Sequence, residues 1–415
     1  MRFYTFILKH KTNNHYHITL KITESNGALK FIETSLKILP EEWDDFTQSP
    51  NNLYHENSKI INKKLNRIKI EVANYFYDLE HTGKLLSTRF LNKSIKKICE
   101  DSNLSFKLGS LLFYMHSYIL DREYKVTVST YRRYIVFLNL FERFEAYRLK
   151  NIMLEDVNSN LVKEFYEFGK IEKYSENTLS RSISFIRTIL NALEKRGIST
   201  AVNQVESPKK SNEQIAVILS ESELFKIQKA SVSDRLSAAK DWLLISCYTG
   251  QRISDFMRFK SDMIKDVGGC RCLSFVQQKT KKKILLPLHP VVEEVLDRNS
   301  SNFPVKISIE KYNAQIKEIV KIVGINEHIQ VNIREGHRSS HMSVPKWKAV
   351  SSHIGRRSFA TNFYGKIPTS LLIEATGHSS EAMFQKYVNR LNEEHIKELS
   401  GYFESTHKKV SASVE

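Results

Sequence analysis

The sequence predicts a mainly helical α+β chain. A small N-terminal three-stranded sheet with a helix comes first, then a four-helix bundle, then a mostly helical region with a small antiparallel sheet. Three observations predict it. Runs of β-branched and aromatic residues separated by turn residues occur near the start and again around 264–287. Apolar residues at spacings of three and four dominate most of the remainder. One polar, Pro-containing segment, 199–214, interrupts the pattern midway along the 415 residues.

In order, RFYTFILK, HYHITLKI and ALKFIETSLKI read as three strands, with KTNN and SNG as the breaks between them. Ile61, Leu65, Ile68, Val72, Phe76 and Leu79 then recur as one helical stripe, so a single helix is expected to cover the sheet. Lys63, Lys64, Arg67 and Lys69 stud that helix, either as a solvated face or as a DNA-contacting one. From 104 to 198 strand signals vanish, and four amphipathic segments predict a compact bundle with basic edges. The last carries Ile183, Ile186, Leu190 and Leu193 on one stripe and stops at Gly197. Residues 199–214 lack an apolar period and read as an exposed linker. A new domain opens near 215, where Ser220 and Glu223 have capping-box spacing. The expected domains are therefore 1–100, 104–198 and 215–415, joined by 199–214.

A hydrophobic fraction of 41% supports several cores and argues against global disorder. No stretch approaches the roughly 18 apolar residues of a membrane span. The opening MRFYTFILKHK is too short for a signal-peptide core, so a soluble protein of the bacterial cytoplasm or nucleoid is expected. Sixty-three Lys and Arg against 46 Asp and Glu leave a net charge of +17. On a folded chain that points to a polyanion partner, nucleic acid before others, with a basic surface kept for solubility as the alternative. The four cysteines, at 99, 247, 270 and 272, have no zinc-site spacing; reduced thiols and no metal are expected.

The chemistry-bearing residues lie in the third domain. In TGQRISD, Arg252 follows an apolar helix at a turn, and Asp255 one helical turn on is spaced to hold its guanidinium. Gly268-Gly269 is a turn signal for a small hairpin or three-stranded sheet, and Lys279 opens the KTKKK run near the tip of that hairpin, within reach of a phosphate. In HIGRRSFAT, His353 and Arg356 share one helix face. In TGHSSEAMFQKYVNR, His378 follows a glycine, and Tyr387 is placed on a helix nine residues later. Taken singly each is weak, since a basic, aromatic-rich chain supplies structural Arg–Asp pairs and core tyrosines readily. Two arginines, a lysine, two histidines and a tyrosine nevertheless fit phosphodiester chemistry without a metal. Arginines clamp non-bridging oxygens bidentately, and a lysine can protonate a leaving alkoxide. A tyrosine attacks once something takes its proton.

In this order, TGQRISD, QQKTKKKILLPL, HIGRRSFAT and TGHSSEAMFQKY, the set resembles the tyrosine recombinases, or λ-type phage integrase family. The lysine ahead of an apolar strand ending in Pro287 and the nine-residue step to the tyrosine resemble that family too. The 104–198 bundle is similar to its core-binding (SAM-like) domain. The N-terminal module with LPEEWDD is similar to the arm-type DNA-binding domain of mobile-element integrases. Gln251, Asp255, Gly355 and Arg357 depart from the usual residues without removing a catalytic group.

The resemblance implies a site-specific recombinase, the integrase, excisionase or invertase of a mobile element, with Arg252, Lys279, His353, Arg356, His378 and Tyr387 as the catalytic set. It implies a 3′-phosphotyrosine link, a Holliday junction and no cofactor. The implied partners are double-stranded DNA at core-type and arm-type sites, a homotetramer on that DNA and an accessory DNA-bending protein, with no membrane. It also implies a C-terminal tail helix at 391–403, packed on its own domain or on a neighbouring protomer. A type IB topoisomerase-like relaxing enzyme and a catalytically silent DNA-binding protein are the rival readings. Segment 331–347 is longer than a compact helical domain needs.

Overall fold

The computed structural model describes residues 3–12, 14–52, 55–83, 85–101, 106–206, 217–336 and 338–388. The expected tail helix at 391–403 and much of the expected linker lie outside them. The backbone divides into two compact units, Met1–Ser211 with Arg334–Ser340, and Asn212–Ile333 with His341–Glu415.

In the first unit, β1 (Phe3–Thr12), β2 (His15–Thr23) and β3 (Leu29–Ile38) form an antiparallel meander in that order. Ile32, Thr34, Leu36 and Ile38 alternate inward along β3, as a half-buried strand requires. A two-stranded ribbon follows, β4 (Trp43–Asp44) with β5 (Ser49–Pro50), and buries Trp43 in the same core. The long helix α1 (Glu56–Thr82) lays Ile61, Leu65, Ile68, Val72 and Leu79 into that core, each burial worth about 1.5–3 kcal/mol. The apolar stripe predicts a single covering helix, but there are two. In α2 (Thr88–Glu100), Leu91, Ile95 and Cys99 share one stripe and pack against β3 and α1. The three apolar positions recur every four residues, which aims them at one side despite the lysines between.

Four helices make the bundle: α3 (Leu111–Leu120), α4 (Val128–Arg148), α5 (Ser159–Ile171) and α6 (Glu176–Glu194). Ser110, Thr127, Asn158 and Ser175 cap their N-termini by accepting from the first-turn amides, each cap worth about 1 kcal/mol. The core is aromatic, with Phe141 and Phe165 stacked at 4.6 Å. The stripe expected on α6 is buried as read. The exposed-linker reading needs correcting at its start: Val202 and Val205 are buried in the bundle core. A 3₁₀ turn at Val202–Gln204 sets the two valines three residues apart on one side, too short a repeat to register as a period.

In the second unit, α7 (Glu221–Lys229) opens with the expected capping box between Ser220 and Glu223. Helix α8 (Asp234–Thr249) is buried on nearly every face around Trp242, and the short α9 (Ile253–Phe256) follows it. Strands β6 (Ile264–Val267), β7 (Cys270–Val276) and β8 (Lys283–Pro287) form the expected antiparallel sheet, turning first at Gly268-Gly269. Then come α10 (Pro290–Arg298) and α11 (Ile309–Ile322). The long segment 331–347 falls mostly within an antiparallel ribbon of β9 (His328–Glu335) and β10 (Arg338–Pro345), of which Arg334–Ser340 counts with the first unit. The fold closes with α12 (Lys346–Ala349), α13 (Ile354–Phe363), α14 (Thr369–Thr376) and α15 (Glu381–Gln385). Among the described residues no helix is long and apolar enough to cross a membrane.

Candidate active site

The site is assembled at helix ends in the second unit. Gly250 closes α8 in a left-handed conformation (φ 66°), donating its N–H to Ser246 O. A side chain there would strike the Phe359 ring at 2.6 Å, so glycine is required on both counts. The chain then turns and Arg252 stands at the start of α9, half-buried. Its Nη1 donates to Gln277 Oε1 at 3.3 Å. Sequence spacing assigns Asp255 to Arg252, and the structure gives it a different partner. Asp255 is fully buried, but its Oδ1 accepts from Arg258 Nη2 at 3.2 Å and from the Gln278 amide at 2.7 Å. Arg258, in the turn just past the end of α9, is the arginine that reaches it, and the carboxylate ties α9 to the residues that follow β7.

Helix α13 runs along α8, and Gly355 is what allows it. A Cβ at that position would lie 2.1 Å from Ser246 Oγ and 2.7 Å from its backbone carbonyl carbon. This accounts for the small residue among HIGRR. The close approach buries Arg356 to 1% exposure. Its Nη1 donates to Gly250 O at 3.0 Å, and its Nη2 to His378 Nε2 at 2.8 Å. Burial, then Arg252 nearby, push the Arg356 pKa down to about 10, with Tyr387 and Asp255 opposing, so it stays charged at neutral pH.

That bond decides the tautomer of His378. A guanidinium only donates, so Nε2 must accept and the proton sits on Nδ1. Nδ1 lies 2.7 Å from Thr376 Oγ1, which in turn donates to Leu372 O at 2.6 Å. Burial, then Arg356, Arg252 and Lys282, push the His378 pKa down to about 3. His378 is therefore neutral across the physiological range. Lys282 Nζ also donates to His378 O at 2.7 Å, fastening the β7–β8 turn to this loop.

This pKa has a consequence for stability. The folded value lies far below the ordinary 6.5, so the unfolded chain takes up the proton first as pH falls. The contribution is intact above pH 6.5 and is lost progressively from there toward pH 3. Between pH 7 and pH 5 it amounts to about 2 kcal/mol. Urea unfolding of the parent and of His378→Gln at both pH values should show that much less acid loss in the variant. Equal losses in the two proteins would refute the assignment.

Tyr387 reads as helical in the sequence, but α15 ends at Gln385 and Tyr387 occupies the turn just beyond, where its N–H donates to Phe384 O. The turn aims the half-buried ring back into the site. The ring centroid lies 5.4 Å from the Arg356 guanidinium carbon and 4.9 Å from the His378 ring. His353 precedes α13 with an exposed edge. Partial dehydration, then Arg357, Arg356, Arg252 and Lys279, lower its pKa, which leaves it neutral at pH 7. Lys279 is exposed in the β7–β8 turn, near enough to act on His353. Direct contacts thus join Arg356, His378 and Tyr387, while Arg252 acts electrostatically on Arg356 and His378, and Arg356, Arg252 and Lys279 act on His353. Gln277, Thr376 and Lys282 contribute to the same place and are not among the residues that the sequence motifs single out.

Three family models match the chain: "Arm DNA-binding domain" over residues 6–92, "Phage integrase SAM-like domain" over 110–203 and "Phage integrase family" over 209–394. The chain is a tyrosine recombinase of the phage integrase family. Solved recombinases share its fold. A lambda integrase fragment bound as a dimer to a COC′ core site aligns with TM-score 0.51 at 18% identity, over 67% of this chain and 95% of that one. A fragment of the Tn1549 transposon integrase in complex with transposon right end DNA aligns with TM-score 0.52 at 13% identity, over 71% of this chain and 99% of the fragment. The XerH site-specific recombinase, in a post-cleavage complex with palindromic difH, aligns with TM-score 0.51 at 14% identity, over 82% and 95%. No curated protein sequence matches the recombinase. Its mainly helical α+β class is the one expected.

Proposed function

We propose that the recombinase binds double-stranded DNA and that the Tyr387 hydroxyl attacks a phosphodiester, forming a 3′-phosphotyrosine bond as the 5′-oxygen leaves. The observation that carries this reading is the position of the Tyr387 ring, against Arg356 and His378 of its own chain. Arg252 and Arg356 hold the scissile phosphate. Their charges need no proton transfer, and both are at least half-buried, where an electrostatic contact with a developing phosphorane outweighs the same contact in water. His378, neutral and turned toward Arg356, orients that guanidinium. His353, neutral at pH 7, accepts the phenolic proton. Lys279, on an exposed turn, protonates the leaving 5′-oxygen.

The phosphodiester energy is kept in the covalent link, so the 5′-hydroxyl of a second duplex can attack it and restore the backbone without ATP. Two such rounds exchange strands through a Holliday junction, which calls for four protomers on two DNA sites. Because Tyr387 rests in its own site, each protomer cuts the strand it holds. The N-terminal module reads arm-type sites and the bundle reads core-type sites, as in the integrase of a mobile element, with an accessory DNA-bending protein bringing them together. Residues 1–100, 104–198 and 215–415 serve as the three functional domains.

The test begins with nicked duplexes of randomised sequence. Those captured as denaturant-stable adducts supply the cognate site. Two duplexes carrying that site should then exchange strands in the presence of the recombinase and no nucleotide. Supercoil relaxation by a monomer without exchange would instead establish a topoisomerase, and absence of any adduct a silent binding protein.

A further inference from the structure

Three segments of the site come from separate parts of the fold: the turn with Arg252, the β7–β8 turn with Lys279, and the loop with His378. Two glutamine side chains, both fully buried, stand where these segments meet. Gln251 Nε2 donates to Thr249 O and to Ala375 O, each at 2.8 Å. Its Oε1 accepts from Gln277 Nε2 at 3.0 Å. The second proton of Gln277 Nε2 goes to Thr376 O at 2.9 Å. Gln277 Oε1 accepts from Arg252 Nη1 at 3.3 Å and from Thr280 Oγ1 at 2.5 Å.

The direction of this network is forced. Arg252 only donates, so the Gln277 atom facing it must be the oxygen, which turns the NH₂ toward Gln251 and Thr376. Four amide protons and two amide oxygens are thereby used. Reversing either amide would set N–H against N–H, or oxygen against a carbonyl. A fully satisfied buried network has one arrangement, and partial ones cost the desolvation of each orphaned group. Gly377 leaves the room for it, since a Cβ there would lie 2.6 Å from the Gln277 amide.

We infer that Gln251 and Gln277 are positioning residues that set Arg252, the Lys279 turn and the His378 loop in one register, so that phosphate clamp and proton donor meet the same phosphate. The inference rests on the recombinase reading above. Gln277 touches Arg252 directly and reaches the Lys279 turn through Thr280, whereas Gln251 acts only through Gln277 and the backbone.

The test uses full-length protein and the duplex recovered by covalent capture, under single-turnover conditions. Gln277→Met keeps the side-chain length without the amide and should slow adduct formation on the order of 10- to 100-fold, with DNA affinity near that of the parent and a lower melting temperature, because Gln251 Oε1 and Thr376 O lose their donor. Gln251→Met should cost less, and the double variant no more than Gln277→Met, because both act through one network. Thr280→Val removes the one hydroxyl that joins the exposed turn to Gln277 Oε1 and keeps the idea testable should Gln277→Met not fold. Its slower cleavage should recover on a substrate with sulfur as the 5′-bridging atom, since a leaving thiolate needs no proton from Lys279. Parent-like rates in both Gln277→Met and Thr280→Val, or rate losses matched by equal losses of DNA affinity, would overturn the inference. Parent protein that forms no adduct defeats the recombinase reading instead. The tie to Arg252 is then read from its guanidinium nitrogen resonances, resolved in the parent and averaged in Gln277→Met if the inference holds, unchanged if it does not.

Discussion

Tyr387→Phe should bind the cognate duplex as tightly as the parent and form no covalent adduct with it. The substitution removes one oxygen and leaves the ring. That ring packs beside the small cluster of Phe359, Leu372, Phe384 and Val388, so the apolar contacts survive and the change in folding stability should stay within about 1 kcal/mol. The lost atom is the proposed nucleophile, and none of the neighbouring groups replaces it. Water admitted beside Arg356 would hydrolyse DNA without a protein link, so an adduct assay reads Tyr387 alone. With end-labelled duplex on a denaturing gel, the adduct should fall by at least about four orders of magnitude, to background. An adduct persisting in the variant would move the nucleophile elsewhere. Affinity should hold because the substitution removes no positive charge, and charge contacts to phosphates supply most of the affinity for a duplex. The phenol is also one of the groups that favour the charged form of Arg356, and Tyr387→Phe removes that support. In the parent the Arg356 pKa, at about 10, lies well above neutral, so the proposed phosphate clamp should keep its charge in the variant.

Much of this site is legible in the sequence because its residues carry distinct chemistry in a fixed order. Arg252, His353, Arg356, His378 and Tyr387 each stand at a helix end or in a turn beside one, and glycines, caps and breaks in apolar period mark such places in a sequence. Local pattern does not show which partner each chooses. Asp255 is spaced for Arg252 yet meets Arg258, a pairing set by how α9 abuts β7. Tyr387 lies past the end of α15 although AMFQKY reads as continuous helix, because the turn is held by packing around Phe384. Gln277 is within reach of sequence reasoning. Leu273, Phe275 and Gln277 fall on alternate positions of β7 and its extension, and all three are buried. An amide on the inward side of such a period needs buried partners, which makes it a positional signal. The pairing of Gln251 with Gln277 needs the fold, since residues 26 apart in the chain meet only when β7 returns to the end of α8. Val202 and Val205 escape for a related reason, their burial depending on a bundle surface that linker composition does not reveal.

Arg356→Met should abolish cleavage while leaving the protein about as well folded as the parent, so that the two effects separate. At 1% exposure, Arg356 carries a full charge in the interior, with a second arginine acting against it. Its depressed pKa records that the folded environment disfavours the charge. The Nε atom is buried with no hydrogen-bond partner, so even the donor set is incompletely satisfied in the free protein. Replacing buried charges with apolar groups of similar volume is often neutral, or stabilising by about 1–4 kcal/mol. Against that stand two lost bonds, to Gly250 O and His378 Nε2, each worth about 1–2 kcal/mol. The balance lies near zero, and a methionine follows the path of the arginine stem without a clash. Cleavage faces no such compensation. In the proposed role Arg356 donates to non-bridging oxygens where charge develops, and its removal should cost at least about 10³-fold in the rate of adduct formation. Single-turnover cleavage and urea unfolding at pH 7 measure the two quantities independently. Loss of several kcal/mol in stability would make Arg356 a structural residue first. Retained stability with lost cleavage would mean that its buried charge is kept for the phosphate, at the expense of the fold that holds it.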